Sequence, residues 1–295
     1  MIEVRVPATS ANIGPGFDCL GLALNMYNSF KAEEIEHGLE ISGCDEEFKN
    51  EDNLFYKSMV KTFEIIGYKA KGLKIEIGGD IPVSRGLGSS ASCIVGGVIA
   101  ANEISKAGLN TYDIVNICAK IEGHPDNTTP AVTGGMTASI MKSGDVVFDK
   151  INICEGLKFC AVIPDFKLST ERARQVLPKT ISYNDGVYNL SRTALLISSL
   201  INGNFDLIKH GIDDRMHQIY RGSLIENYED VIKKCYDFGA EGAFLSGAGP
   251  TIMAVLREEN QNFSNCMKEF LKSINKKWDV KELKIDTKGA MVIRN

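Results

Sequence analysis

Positive charge is in short supply in this chain. Lysine and arginine total 33 against 38 aspartates and glutamates, a formal net charge of −5 with a pI near 5.5. A nucleic-acid-binding protein shows a basic excess or a basic stripe. The one lysine-dense stretch, 268–281, is interrupted by Glu269 and Asp279 and reads as a solvated helix end. Long apolar runs are missing too. The longest, 91–101, is broken by Ser92 and by Gly96-Gly97, and falls well short of the ~20 residues that span a bilayer. The first ten residues, MIEVRVPATS, have no basic region followed by an apolar run, so they do not read as a signal peptide. Eight cysteines form no C-x-x-C pair, and no histidine stands at zinc-finger spacing from them. Small or apolar neighbours, as at Cys93 before Ile94-Val95, fit reduced cysteines in an intracellular protein. There is no internal repeat and no low-complexity linker. The expectation is a soluble cytoplasmic protein that meets neither nucleic acid nor membrane, and that holds any anionic ligand by local geometry.

What the chain does have is glycine, 28 in 295 residues, against a usual ~7%. Half of them fall in four segments, 6–21, 82–97, 122–136 and 239–251, together with six of the eight prolines. Glycine permits positive φ and close backbone approach while proline fixes φ, so these segments read as shaped loops.

Strand-like runs occupy 2–6, 30–35, 39–42, 73–77, 136–141, 146–151, 159–163, 243–245, 252–256, 282–285 and 290–293. Helical periodicity fits 54–66, 90–106, 111–121, 186–201, 206–210, 230–238 and 263–274. Strands do not alternate strictly with helices, which disfavours a doubly wound parallel sheet and points to an α+β fold. A Gly-bearing turn at Cys154-Glu155-Gly156 suggests a boundary, with units at 1–155 and 156–295. The helix-rich stretch 181–212 reads as packing for the second unit.

The most informative stretch is Pro82-Val83-Ser84-Arg85-Gly86-Leu87-Gly88-Ser89-Ser90-Ala91-Ser92, running directly into an apolar helix. A glycine-rich loop that opens a helix presents free N–H groups at the positive end of the dipole, a site for phosphate. Ser89 and Ser90 add hydroxyls for phosphate or Mg²⁺. It is not a Walker A loop, since no Gly-Lys-[Ser/Thr] follows. Gly86-x-Gly88-x-x-Ala91 is a weak form of the dinucleotide fingerprint, and the preceding strand ends too early for that fold.

Three further loops carry chemistry. In 6–21, Asn12 and Asp18 bracket Gly14-Pro15-Gly16 and could meet at one small ligand. Glu122-Gly123-His124-Pro125-Asp126-Asn127 follows an amphipathic helix. One of its carboxylates could ligate Mg²⁺ while the other takes a proton or orients a hydroxyl; a helix C-terminus capped by Gly123 explains it equally well. Segment 243–252 either closes over a ligand or is a hairpin turn. Arg172, Arg174 and Arg221 are forked carboxylate or phosphate binders in principle and ordinary ion-pair arginines otherwise. His37, His210 and His217 suggest no metal cluster.

Taken together, these loops resemble the GHMP kinases, small-molecule kinases, and most closely the branch that acts on homoserine. The stretch 82–92 resembles the family's P-x-x-x-G-L-G-S-S-A signature. Pro7-Ala8-Thr9-Ser10-Ala11-Asn12-Ile13-Gly14-Pro15-Gly16-Phe17-Asp18 resembles the branch's first motif, and Ser246-Gly247-Ala248-Gly249-Pro250-Thr251 its last. The segments 122–127 and Ser169-Thr170-Glu171-Arg172-Ala173-Arg174 are similar to further segments of it. The resemblance implies a ribosomal-protein-S5-like N-terminal domain and a ferredoxin-like C-terminal domain. It implies ATP phosphates held by 82–92, with Mg²⁺ on Ser90 and Glu122. It further implies homoserine surrounded by Asn12, Asp18, Asp126, Asn127, Thr170, Arg174 and Arg221. The arginines would hold its carboxylate, with Asp18 near its amino group and Asp126 as candidate proton acceptor. Phosphorylation of another small alcohol, such as mevalonate or shikimate, and a non-catalytic nucleotide-binding role stay open at this point. So does the oligomeric state, with a homodimer among the options.

Overall fold

A computed structural model describes residues 1–294. The chain runs β1 (Ile2–Ala11), β2 (Leu20–Glu34), β3 (Gly38–Ser42), α1 (Leu54–Ile66), β4 (Gly72–Gly79), α2 (Ser89–Ser105), α3 (Thr111–Glu122) and α4 (Thr128–Thr133). It continues through β5 (Met136–Lys142), β6 (Asp145–Ile151), β7 (Leu157–Ile163), α5 (Thr170–Gln175), α6 (Tyr183–Asn202), α7 (Ile208–Gly211) and α8 (Gln218–Arg221). The last elements are α9 (Tyr228–Asp237), β8 (Gly242–Leu245), β9 (Ile252–Arg257), α10 (Phe263–Ser273), β10 (Asp279–Leu283) and β11 (Met291–Ile293).

Two sheets carry the architecture. The first has strand order β11-β1-β2-β4-β3, with β5 joining β2 and β6 joining β5. Among the described residues its one parallel pair is β3 with β4. The second has order β10-β7-β9-β8, all antiparallel. Numbered by appearance that order is 4-1-3-2, with helices between its first and second and its third and fourth strands, the ferredoxin-like arrangement. The chain leaves the first sheet at Ile151 and enters the second at Leu157. The final strand β11 then returns to pair with β1, so the C-terminus of the unit drawn as 156–295 is tied into the first sheet. We keep 1–155 and 156–295 as a proposed division that the last strand crosses.

Period-2 alternation explains how the two sheets share a core. On β7, Leu157, Phe159, Ala161 and Ile163 face Leu22, Leu24 and Met26 of β2, while Cys160 and Val162 face the outer helices α9 and α10. Leu196 and Leu200 of α6 and Ile208 of α7 close the shared core from the side. The other face of the first sheet packs Phe30 and Ile75 on α1 and α2. The two units therefore meet through buried apolar surface, and a cleft lies along their seam.

The structure corrects several sequence expectations. The segment 6–21 is not a loop throughout: β1 runs on to Ala11 and β2 begins at Leu20, leaving a turn at 12–19. Pro7 is accommodated because the register of β1 against β2 shifts there. The first half of β2 was hidden because it is buried and nearly continuously apolar, without the alternation that marks a half-exposed strand. Helices α4, α5 and α8, of four to six residues, were also missed, being too short to show periodicity. Of the eight cysteines, all free, only Cys118, Cys160 and Cys235 are fully buried.

Candidate active site

The cleft has a volume of about 410 Å³ and takes its walls from both units. Its floor is the start of α2. Gly88 precedes that helix in the left-handed conformation, φ 71°, and no side chain caps it. The first N–H groups of α2 are thus left for a ligand.

The loop ahead of α2 is shaped by the second unit. Ser246 Oγ donates to Gly86 O at 2.6 Å and Thr251 N to Arg85 O at 3.2 Å. A Cβ on Gly86 would lie 2.4 Å from Ser246 O, so the close approach requires glycine there. Within the stretch 82–92, Val83, Ser84, Arg85, Gly86, Gly88, Ser89, Ser90 and Ala91 line the cleft. Three members of that stretch do not: Pro82 lies outside it, Leu87 is buried in the shared core, and Ser92 is buried, accepting from Asn28 Nδ2 and donating to Ser89 O. Arg85 spends its guanidinium on the Pro164 and Asp165 carbonyls at 2.8 and 2.9 Å and on Val83 O, strapping the loop to the second unit. The turn 246–249 is both things the sequence allowed, a β8–β9 hairpin turn and a wall of the cleft.

Opposite the loop stand the polar residues. Ser90 Oγ donates to Glu122 Oε2 at 3.1 Å. Gly123 does cap α3, with φ 93° and its N–H on Ala119 O; that turn delivers His124 and Asp126 to the cleft. Asp126 is only 2% exposed, with its carboxylate 2.6 Å from His124 Nδ1. Burial pushes the Glu122 carboxyl up, against the pull of His124 and Ser90. Burial pulls the His124 imidazolium down, but the Asp126 hydrogen bond and the nearby carboxylates outweigh it, and its pKa is raised. Asn127 Oδ1 accepts from buried Thr9 Oγ1 at 2.8 Å, which turns the amide nitrogen away from Thr9.

The turn 12–19 closes one end. Asn12 donates to Gly247 O at 2.9 Å and its Oδ1 accepts from Asp18 N, with φ of 70° at Asn12 and 53° at Asp18. Asp18 and Arg174 make a two-pronged ion pair at 2.8 and 3.1 Å. That pair raises the Arg174 pKa. Arg221 differs from Arg174. It is 2% exposed, the largest fully buried side chain among the described residues, and donates to Ala173 O and Gly247 O at 3.1 and 3.0 Å. Among the described residues it makes no ion pair within 4 Å. Burial, and next the charge of Arg174, pull it down to about 10, which leaves it a cation at neutral pH. Arg172 is exposed and does not line the cleft; Thr170 does.

The far end of the cleft went unread in the sequence. Cys44, Phe48, Leu54 and Ile77 line it with Gly78, Gly79 and Asn53. Only the glycine pair at 78–79 could have signalled it, and it lies outside the four dense segments.

A seam cleft with an uncapped glycine loop at one side and an acid–cation cluster at the other defines a small-molecule phosphotransferase of the two-domain GHMP type. The family description "GHMP kinases N terminal domain" matches residues 53–135, and "GHMP kinases C terminal" matches 196–273. The chain belongs to the GHMP kinase family. It is 58% identical to the homoserine kinase of Clostridium botulinum (strain ATCC 19397 / Type A) over 292 residues, covering 99% of this chain and 98% of that one. A crystal structure of homoserine kinase from Cytophaga hutchinsonii superposes with a TM-score of 0.88 at 28% identity, covering 99% of this chain and 97% of that one. The mevalonate kinase of L. major, solved with R-mevalonate, shares the fold at a TM-score of 0.73 and 17% identity, covering 97% and 96%.

Proposed function

We infer that this chain catalyses ATP-dependent phosphorylation of L-homoserine to O-phospho-L-homoserine, a step of threonine biosynthesis. The observation that carries the reading is one cleft holding both an uncapped, glycine-preceded helix start and a buried arginine with no ion-pair partner among the described residues. The first suits phosphate and the second a carboxylate.

In this reading the loop 82–92 receives the ATP phosphates through its backbone, with Ser89 and Ser90 adding hydroxyl contacts. The apolar end around Phe48, Leu54 and Ile77 takes the base. Ser90 and Glu122 offer hard oxygen donors 3.1 Å apart, a set that suits Mg²⁺. Among the described residues no group of three His, Cys, Asp or Glu could hold a metal by itself. The ion would therefore depend on the nucleotide's phosphates for most of its ligands and would offset their charge. Arg221 takes the substrate carboxylate, and Arg174 assists when Asp18 turns to the amino group. Asn12, Asn127 and Thr170 bound the same end. Asp126 accepts the proton of the side-chain hydroxyl as that oxygen attacks the γ-phosphorus in line, and ADP leaves. Most of the rate enhancement comes from positioning and charge stabilisation. A cytoplasmic location is part of the reading, supported by eight free thiols and by the lack, among the described residues, of any helix long and apolar enough to cross a membrane.

ADP release from MgATP, measured with homoserine, mevalonate, shikimate, serine and threonine, tests the function. Turnover is expected with homoserine alone; turnover confined to another panel member overturns it. Arg221→Gln tests the carboxylate site. It keeps donors near Ala173 and Gly247 but removes the charge, so KM for homoserine is expected to rise about 10- to 200-fold, the worth of a charge-assisted bond. An unchanged KM would move the carboxylate elsewhere.

A further inference from the structure

Behind the two arginines stands an aromatic side chain that does not line the cleft itself. Phe17, between Gly16 and Asp18, lies with its ring centroid 5.2 Å from the Arg221 guanidinium carbon and 5.7 Å from that of Arg174. Both distances fall within the ~6 Å reach of a cation–π contact. The same ring stacks on His217, with centroids 5.3 Å apart and planes at 28°.

His217 is held from several sides. Its Nε2 donates to Gly14 O at 2.8 Å, which leaves Nδ1 as an acceptor 3.5 Å from Arg221 Nη1. Its N–H, with those of Met216 and Gln218, donates to the buried carboxylate of Asp214, which Asn189 Nδ2 also reaches at 2.6 Å. Burial pulls the His217 pKa down, against the pull of the Asp214 carboxylate and the Gly14 hydrogen bond. The stack is thus anchored both to the turn 12–19 and to the start of α8, the helix whose last residue is Arg221.

We propose that Phe17, backed by His217, is a positioning residue for substrate recognition: its ring holds Arg174 and Arg221 side by side and aims them at the substrate carboxylate. Two guanidiniums brought to one small anion repel each other, and an electron-rich ring face beside both offsets part of that repulsion without occupying the fork of either. The Asp18 charge also favours the Arg221 cation, but its two oxygens contact Arg174 and no ion pair joins it to Arg221 among the described residues, so the ring is the group that touches both guanidiniums. The inference rests on the homoserine reading above, in which these arginines meet a carboxylate.

The test compares homoserine with homoserine amide, which keeps the shape and loses the anion, in the wild type and in Phe17→Leu, Phe17→Tyr and His217→Asn, with melting temperatures recorded alongside. The wild type is expected to prefer homoserine. Phe17→Leu, which keeps apolar volume without the π face, is expected to shrink that preference about five- to tenfold through the KM of homoserine, with kcat within about twofold. Phe17→Tyr should retain the preference within about twofold, and His217→Asn should shrink it in the same direction as Leu. If Phe17→Leu weakens homoserine and its amide equally, or leaves the preference intact, the ring is mere packing and the proposal is overturned. If the wild type itself shows no preference, the carboxylate reading fails first.

Discussion

Asp126→Asn is expected to lower kcat for homoserine by about 10²- to 10⁴-fold while KM stays within about threefold, the signature of a lost general base. The reason lies in how the three acids of the cleft are engaged. Asp18 is spoken for by both nitrogens of Arg174. Glu122 accepts from Ser90 and, in the reading proposed above, is reserved for a divalent cation. Among the described residues Asp126 has only His124 as side-chain partner, at 2.6 Å, and it is almost wholly buried. A carboxylate so placed keeps lone pairs for a substrate hydroxyl, and His124 fixes its orientation. Asparagine preserves the shape and an oxygen for His124 but cannot take the proton. Steady-state kinetics with saturating MgATP checks this. A loss confined to KM would make Asp126 a substrate anchor and leave the proton to solvent or to the phosphate itself.

That assignment uses residues named from the sequence but a geometry the sequence did not contain. Helix α1 was legible to the residue, because Asn53 accepts from the N–H groups of Phe55 and Tyr56 at one end and Gly67 stops it in the left-handed conformation at the other. In the second sheet β7, β8 and β9 were legible as short apolar runs, whereas β10, expected at 282–285, runs Asp279–Leu283. Local chemistry also marked the stretch 82–92, but not the division of labour within it. Leu87 and Ser92 look inward and Arg85 is a strap, because the loop is moulded by Pro164, Asp165 and Ser246, which are remote in the chain. Likewise nothing in Arg174 or Arg221 alone distinguishes them. Tertiary structure pairs one with Asp18 and buries the other unpaired, and that difference decides which cation is free for an anion. Phe17 was visible only as part of a motif; its contacts with His217 and two arginines span 200 residues of chain.

The close approach of the loop before α2 to β1 makes a single backbone position there unusually consequential, and Gly88→Ala is expected to show it in both stability and catalysis. Gly88 sits at φ 71° just before α2, and a Cβ there would lie 2.0 Å from Thr9 Oγ1 and 3.0 Å from Thr9 N. The left-handed conformation alone costs an alanine ~1–2 kcal/mol. The clash adds ~1–3 kcal/mol, since Thr9 is buried, β-branched and bonded through its N–H to Leu87 O. A loss of about 2–5 kcal/mol, set against an unfolding entropy of ~2.1 cal/mol/K per residue over 295 residues, lowers the melting temperature by roughly 3–8 °C. Thr9 can yield only by releasing Asn127, whose side chain it holds, and the uncapped N–H groups at the start of α2, the proposed phosphate site, shift with Gly88. kcat/KM for ATP is therefore expected to fall by about 10²- to 10³-fold, the scale of a displaced oxyanion donor. Thr9→Ala is the discriminating partner. Alone it destabilises by stranding Asn127 Oδ1. Combined with Gly88→Ala it removes the colliding hydroxyl, and the two changes should cost at least about 1 kcal/mol less together than apart. Strict additivity would mean that the left-handed backbone alone, and not the contact with Thr9, requires glycine at this position.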